Sequence, residues 1–133
     1  MTFKFYFSIR GYELDSFGHV NNAVYFNYFE HARWEFFKEI DMYDYFIEKK
    51  LFGIVTEAKI RYLHELRLFD DAVVNTNVKL DGNFIIAAQK IFLCKENRPV
   101  ARAKFKLLLV DEERIPYDVP QKFVEIIEGF DKE

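Results

Sequence analysis

The sequence contains few residues that form disulfides or interrupt helices and strands: among its 133 residues are one cysteine, three prolines and five glycines. With Cys94 alone, no disulfide can form within the chain, which favours a reducing compartment. Cys94 ends the apolar run Ile-Phe-Leu-Cys, so we expect it to be a small, buried side chain. No uninterrupted apolar stretch approaches the roughly 20 residues of a membrane-spanning helix, and no membrane span is predicted.

A net positive charge is also absent. The 19 Lys and Arg residues are outnumbered by 22 Asp and Glu residues, which gives a formal charge of −3 and a pI near 5.7. This balance argues against binding along the phosphate backbone of a nucleic acid. The first residues, Met-Thr-Phe-Lys-Phe, alternate in polarity and lack the apolar region of a secretory signal peptide. We therefore expect a cytoplasmic protein with no nucleic-acid partner.

Aromatic residues, in contrast, are abundant. The chain contains 16 Phe and 8 Tyr, and half of all its residues are hydrophobic. So many rings exceed what the core of one small domain needs, which indicates a large apolar interface, an apolar pocket, or both. The length fits a single domain that covers residues 1–133.

Hydrophobic periodicity predicts the order of the elements. Alternation over residues 3–10 predicts a half-buried strand, and from Asn22 to about Ile40 apolar residues recur every three or four positions, as in a helix. A short helix or turn is predicted at 43–50. Further strands are predicted at 54–62, 74–80, 84–94 and 101–109, and a closing helix at 121–128. The nearly continuous apolar run 84–94 is typical of a strand covered on both faces. The economical fold is α+β, with a long antiparallel sheet wrapped around one central helix.

The stretch Asp-Ser-Phe-Gly-His-Val-Asn-Asn, residues 15–22, carries the chemistry. It places one carboxylate on a short loop that runs into the long helix, whose start offers unpaired N–H groups at the positive end of the helix dipole. A carboxylate held there can attack a carbonyl, or activate water to attack it, while the N–H groups hold the carbonyl oxygen. The alternative is that Asp15 only stabilises a turn. With the helix start beside it, we interpret Asp15 as part of an acyl-transfer or hydrolysis site.

Two motifs and the order of the elements carry a resemblance to a known family. The motifs are Asp15-x-x-Gly18-His19-Val20-Asn21-Asn22-x-x-Tyr25 and Glu30-x-x-Arg33. Over nearly its whole length the chain resembles the hotdog-fold thioesterases of the 4-hydroxybenzoyl-CoA thioesterase type, which include acyl-CoA thioesterases associated with the Tol-Pal system. The resemblance implies an acyl-CoA thioesterase with a hotdog fold. It also implies a homodimer or homotetramer whose sheets join edge to edge.

The resemblance further implies roles for individual residues. Asp15 is the expected catalytic carboxylate, as general base or as nucleophile, and the Asn22 N–H, on the first helical residue, is the expected oxyanion donor. His19 is either a base near neutral pH or a neutral residue that bonds its own loop. Substrate contacts are expected from Asn21, Tyr25, Lys59 and Arg61. The resemblance also implies that surface Lys and Arg hold the coenzyme A phosphates, and the candidates are Lys59, Arg61, Arg102, Lys104 and Lys106. No cofactor is expected other than the coenzyme A of the substrate.

Departures from the family pattern leave two alternatives open. The Tol-Pal-associated enzymes tend to have Tyr-His where this chain has Asn21 and Asn22. The form found here is similar to the plant acyl-carrier-protein thioesterases, which also have an Asn where this chain has Phe17. The alternatives are an acyl-carrier-protein thioesterase and a non-catalytic module that binds acyl groups. An acyl dehydratase is disfavoured, because its His-x-x-x-x-Gly-x-Pro loop is absent.

Two further expectations concern charged and metal-binding residues. Glu30 and Arg33 are spaced for an i,i+3 ion pair on the helix. The chain has three His and one Cys, with neither His-x-x-x-His nor Cys-x-x-Cys spacing, so no metal site is predicted.

Overall fold

The computed structural model describes residues 2–131, and it has the predicted order of a strand, a long helix, further strands and a closing helix. In chain order the elements are β1 (Phe3–Ser8), α1 (Val24–Glu39), α2 (Tyr43–Glu48), β2 (Phe52–Tyr62), β3 (Asp71–Asp81), β4 (Phe84–Leu93), β5 (Arg98–Val110) and α3 (Gln121–Asp131). Single 3-10 turns lie at Gly11–Glu13 and Lys95–Asn97. Among residues 2–131, no helix is long and apolar enough to cross a lipid bilayer.

The strands form one antiparallel sheet in the order β1-β3-β4-β5-β2. Long strands twist and the sheet curls, so both of its halves reach α1. On one side the ring of Phe3 on β1 lies 6.0 Å from that of Phe36, and on the other the ring of Phe105 on β5 lies 5.5 Å from that of Phe29. This arrangement confirms the α+β prediction of a sheet wrapped around a central helix.

The core lies between α1 and the inner face of the sheet. The helical stripe predicted from the sequence is buried except at its end, where Ile40, the C-cap of α1, is half-buried. Its buried members are Tyr25, Tyr28, Phe29, Ala32 and Phe36. Inward residues of β3 and β5, among them Val74, Thr76, Phe105 and Leu107, pack against it. Aromatic residues therefore fill most of the contact between helix and sheet, which accounts for many of the rings noted in the composition.

Two burial predictions are wrong. The run 84–94 is not covered on both faces: β4 alternates, with Ile85, Ala87, Gln89 and Ile91 buried and the residues between them partly or fully exposed. The apolar appearance of the strand arises because its outward positions are also mostly apolar. Cys94 is exposed rather than buried, because it follows the last residue of β4 and begins the turn at Lys95–Asn97.

Strand β2 differs from the others because nearly all of its eleven residues are exposed on both faces. It lies at one edge of the sheet, paired on one side only, with β5. The pairing is interrupted by an irregularity between Val55 and Glu57, where one extra residue shifts the register. An exposed, apolar edge strand of this length is a surface that natural proteins normally cover.

Candidate active site

Residues 10–21 form a compact loop closed by its own backbone. Leu14 and Val20 form an isolated antiparallel bridge, the Asp15 N–H donates to the His19 carbonyl at 2.7 Å, and the Asn21 N–H donates to the Glu13 carbonyl at 3.0 Å. Glu13 itself is buried, and its carboxylate accepts hydrogen bonds from the Arg10 N–H and guanidinium at 2.7 and 3.1 Å. The loop that carries the candidate carboxylate is therefore held in one conformation.

The two carboxylate oxygens of Asp15 have different surroundings. Oδ1 accepts hydrogen bonds from the N–H groups of Phe17 at 2.9 Å and His19 at 3.3 Å, which is the turn-stabilising role considered above. Oδ2 has no hydrogen-bond partner among residues 2–131. Gly18 completes the turn with a φ of 81°, a conformation that glycine adopts without strain. Asp15 thus has one oxygen that organises the loop and one that makes no hydrogen bond among the described residues.

The long helix begins two residues later than predicted. Helical structure starts at Val24, because Asn21 turns the chain first: its Oδ1 accepts from the Ala23 N–H and its carbonyl from the Val24 N–H, both at 2.9 Å. Asn22 therefore precedes the helix rather than being its first residue. Its N–H has no acceptor among the described residues. The N-cap residue of α1 is Ala23, which has no side-chain cap, so Asn21 forms a turn before the helix rather than capping it. The Asn22 N–H is left available to a ligand.

Tyr62, at the end of β2, joins the edge strand to this helix start. Its hydroxyl donates to the Asn22 carbonyl at 2.9 Å, and its ring stands edge-on to that of Tyr25 at 5.1 Å. Tyr25 is buried beneath it, and burial raises the pKa of Tyr25 to about 12. The Tyr25 side chain therefore lies in the core, neutral at physiological pH, while Tyr62 is exposed.

His19 lies against the segment that follows β2. Its Nε2 atom is 2.8 Å from Oε2 of Glu65, and its backbone forms a bridge with Arg67. Arg67 donates to the other carboxylate oxygen of Glu65 at 2.6 and 3.1 Å, and these hydrogen bonds lower the pKa of that carboxyl. Glu65 was missed from the sequence, because nothing in its spacing connects it to a histidine forty-odd residues away. It fixes the orientation of the His19 imidazole.

Lys59 and Arg61 share one face of β2, as their spacing predicted. That face is the outer one: they stand opposite Lys104 and Arg102, whose neighbours Ala103 and Phe105 point into the core. Tyr62, the next residue along the strand, points inward to Asn22. The two basic residues and the helix start therefore lie at the same end of β2 but on opposite sides of the sheet.

The predicted ion pair between Glu30 and Arg33 is wrong. Arg33 turns into the core instead, where its Nη1 donates to Oε1 of Gln89 at 3.0 Å and its guanidinium stacks 4.3 Å from the centre of the Phe105 ring. No carboxylate lies within 4 Å of it among residues 2–131. Burial lowers the pKa of Arg33 to about 10. Helical spacing gave no sign of this, because Gln89 lies on a distant strand.

A mostly apolar cavity of about 190 Å³ lies between α1, α2 and the first half of β2. Its wall includes Trp34, Phe37, Phe52 and Leu107, with Arg33 as its buried polar group. A cavity of this composition suits a hydrocarbon chain. Among residues 2–131 there is no group of three His, Cys, Asp or Glu side chains placed to hold a metal ion.

Comparisons with known proteins identify the family to which this chain belongs. A family model described as "Thioesterase-like superfamily" matches residues 9–127. The chain is 32% identical over 125 residues to the acyl-acyl carrier protein thioesterase ATL3 of Arabidopsis thaliana, covering 90% of this chain and 66% of the relative. It is 31% identical over 104 residues to the long-chain acyl-CoA thioesterase FadM of Escherichia coli, covering 77% and 79%. The chain thus spans just under two thirds of the length of the plant relative.

A solved structure gives the same result in three dimensions. The probable thioesterase YbaW from Escherichia coli superimposes with a TM-score of 0.82 at 27% identity, over 94% of this chain and 96% of the other.

Proposed function

This chain belongs to the thioesterase-like superfamily, and on that premise we propose that it hydrolyses acyl-CoA thioesters to the free acid and coenzyme A. It has the hotdog fold of that superfamily, and the enzyme is a thioester hydrolase. Its membership of the 4-hydroxybenzoyl-CoA thioesterase type, which includes the Tol-Pal-associated enzymes, is a further proposal that rests on the motifs at residues 15–25 and 30–33. The relative named for long-chain acyl-CoA favours a hydrocarbon acyl group over an aromatic one.

A single observation supports the choice of catalytic residues. Among residues 2–131, Oδ2 of Asp15 and the N–H of Asn22, both on the segment that leads into α1, have no hydrogen-bond partner. Hydrolysis of a thioester needs one group to deliver the attacking oxygen and another to hold the oxyanion. In other hydrolases one such donor contributes about 3 to 4 kcal/mol to transition-state stability.

Two routes use these groups. In one, Asp15 takes a proton from water, the hydroxide oxygen bonds to the thioester carbon, and the C–S bond breaks to release the thiolate, which takes up a proton. In the other, Oδ2 of Asp15 bonds to the carbon and expels the thiolate, and water then cleaves the mixed anhydride. In both, the carbonyl oxygen becomes negative and is held by the Asn22 N–H. Water is the only co-reactant.

Other residues have supporting roles in this proposal. His19 holds Asp15 by its backbone N–H and carbonyl, so it contributes to positioning as well as offering an imidazole near the thioester. Asn21 sets the turn that frees the Asn22 N–H, and the buried ring of Tyr25 packs beside Tyr62, whose hydroxyl donates to the Asn22 carbonyl. Lys59 and Arg61, which were expected to contact the substrate, lie on the outer face of the sheet, and this proposal gives them no contact with the reacting thioester. No cofactor enters beyond the coenzyme A of the substrate.

We propose that the active form is at least a homodimer joined through β2. This edge strand is exposed on both faces, and exposed apolar side chains surround it, namely Phe26, Trp34, Phe52, Ile54, Val55 and Leu63. Pairing with the same strand of a second copy satisfies the free edge and covers these side chains by one twofold contact. A homotetramer remains the larger assembly that the resemblance implies.

A carrier-protein thioesterase is the second candidate, favoured by the match to ATL3 over 90% of this chain. A screen of aromatic, short-chain and long-chain acyl-CoAs tests the first proposal by release of free thiol. We expect saturable hydrolysis of at least one long-chain substrate. Binding without hydrolysis of any thioester, on coenzyme A or on a carrier protein, would support the non-catalytic acyl-binding module instead.

A further inference from the structure

The outer face of the sheet, which points away from α1, concentrates positive charge. We call it the basic face and define it as Lys59 and Arg61 on β2, Arg102, Lys104 and Lys106 on β5, and Lys90 on β4. Lys106 is half-buried over the Phe84 ring at 4.1 Å, and the others are exposed. The concentration is unexpected in a chain with a formal charge of −3.

Within the basic face, cations stand directly opposite cations. Lys59 faces Lys104, Arg61 faces Arg102, and Arg102 also faces Lys90 on its other side. Directly opposed side chains on antiparallel strands lie about 4.5–5.5 Å apart at Cβ, and like charges there destabilise the sheet. Among residues 2–131, none of these groups has a carboxylate within 4 Å. The chain contains 22 Asp and Glu residues, yet none of them neutralises these opposed cations.

We propose that the basic face docks an acidic protein, the carrier that presents the acyl group as a thioester. The inference rests on the proposed thioester hydrolysis and names a macromolecular partner for the same site. Its position fits this role: Arg61 and Arg102 form the row nearest the end of β2, and the next residue, Tyr62, donates to the Asn22 carbonyl. The basic face and the start of α1 are therefore separated only by the end of β2, which a thioester on a flexible arm of the carrier protein would have to pass.

The flatness of the basic face, rather than its size, favours a protein over a nucleotide. Three strands about 4.8 Å apart and rows of side chains over four residues give a patch of about 10 by 14 Å. It lies on the flat side of a sheet, without a glycine-rich loop or a helix start to enclose a phosphate. A spread of separate cations matches a spread of separate carboxylates, and such complementarity also speeds association.

The charge pattern of the basic face favours an acidic protein over two other partners with flat surfaces, a membrane and a second copy of this chain. Glu57, opposite Lys106, and Asp81 close the far end of the patch with negative charge, so the face has a polarity that a uniformly anionic bilayer does not match. A second copy docked face to face would bring cations against cations across the twofold axis. An acidic protein with a basic residue at one end fits both halves of the pattern.

The test compares one acyl group on two carriers: dodecanoyl-CoA and a dodecanoyl-loaded, acidic bacterial acyl carrier protein. Lys104→Glu reverses one charge at the centre of the basic face, and Arg102→Glu is a second, independent reversal. We expect each to lower kcat/KM for the carrier-protein substrate at least tenfold relative to that for dodecanoyl-CoA. The loss should shrink as NaCl is raised from 50 to 300 mM, because salt screens exposed charges.

Folding is controlled within the same variants. Lys104→Glu places a carboxylate opposite Lys59, so Tm should stay the same or rise while carrier-protein turnover falls. A purely structural lysine would not separate these two readouts. Lys122→Glu makes the same charge change on α3, where Lys122 lies near the Tyr45 ring, and it should leave both substrates unaffected.

Several outcomes would overturn the proposal. Equal loss on both substrates indicates a nucleotide site, and no loss on either indicates an ordinary solvated face. Parent protein that hydrolyses dodecanoyl-CoA but not the carrier thioester removes the docking role and leaves the proposed function standing. If the parent hydrolyses neither, the proposed function fails, and docking is then decided by calorimetric titration with the loaded carrier, where no binding ends it. Flotation with phosphatidylserine vesicles that depends on Lys104, without carrier binding, assigns the face to membranes instead.

Discussion

Asp15 and Asp111 close two loops with the same set of hydrogen bonds. Each Asp N–H donates to the carbonyl four residues on, at 2.7 and 3.0 Å, and each Asp carbonyl accepts from the N–H three residues on, at 3.1 and 3.0 Å. Each Oδ1 also accepts from the N–H groups two and four residues on. The residue three positions after each Asp has a left-handed backbone conformation, with a φ of 81° at Gly18 and 63° at Arg114. Loop geometry alone therefore does not identify a catalytic carboxylate, and what distinguishes Asp15 is the helix that follows.

This twin loop provides a matched control for catalysis. Asp15→Asn keeps an oxygen for both loop N–H groups but cannot act as a base or nucleophile. We expect turnover to fall by the ~10²–10⁴-fold that a positioned general base contributes, with Tm unchanged or raised. Asp111→Asn makes the same change in the same loop geometry and should keep its turnover. Hydrolysis of the best thioester by Asp15→Asn at near the parent rate would contradict the proposed mechanism.

The oxyanion donor is tested by Asn22→Pro, which removes one N–H. Because this N–H has no acceptor within residues 2–131, the substitution breaks no hydrogen bond of the described structure, and Asn22 lies before α1, where proline removes no helical hydrogen bond. We expect kcat to fall by ~10²–10³-fold with KM little changed. Asn22→Ala keeps the backbone donor and serves as the control. An active, folded Asn22→Pro variant would assign the oxyanion to another group.

The buried arginine should depend on Gln89 for its place in the core. Gln89 accepts from Arg33 and donates to the Phe29 carbonyl at 3.0 Å and to the Thr76 hydroxyl at 2.9 Å. Gln89→Leu leaves a buried cation without its acceptor, which we expect to lower the free energy of unfolding by about 3 kcal/mol. Adding Arg33→Met removes that cation and should restore part of the loss. Urea unfolding of both variants measures the coupling, and simple additivity would show that the two residues act independently.

Assembly through β2 predicts that a charge on this strand separates the copies. Val55 is 41% exposed, and Val55→Lys should shift sedimentation from dimer or larger toward monomer, because it places a cation in the apolar contact. Tyr6 is exposed on β1, at the opposite edge of the same sheet, so Tyr6→Lys is the control and should leave the assembly unchanged. A parent protein that is monomeric at micromolar concentration would contradict the proposed dimer.

The fold was largely predictable because the helix and the strands differ in the period of their hydrophobic residues. The stripe from Tyr25 to Phe36 repeats every three or four residues, whereas the strands alternate, so a helix and strands are the only consistent interpretation. The exposure of Cys94 was not predictable, because it depends on the turn that follows β4. The start of α1 at Val24 was missed for a similar reason: Asn21 makes a local side-chain turn that delays the helix.

The site was predictable only where its residues are close together in the chain. Asp15 and Asn22 belong to one sequence motif, so the motif alone indicated that the Asp15 carboxylate and the Asn22 N–H precede a helix. Glu65 and Tyr62 reach the site through the sheet topology, which brings the end of β2 beside the loop. Arg33 shows the limit most clearly, because spacing indicated a surface ion pair and tertiary burial provided a neutral partner, Gln89.

The proposed dimer through the exposed edge strand β2 would couple the folding of the chain to its association with a second copy. When β2 pairs with a second copy as proposed, part of the free energy that holds the native chain together comes from association, and association follows mass action. Melting temperature then rises with protein concentration, and dilution acts in the same direction as a denaturant. A cell that makes little of this chain would carry a larger unfolded fraction of it, so its abundance sets its own stability.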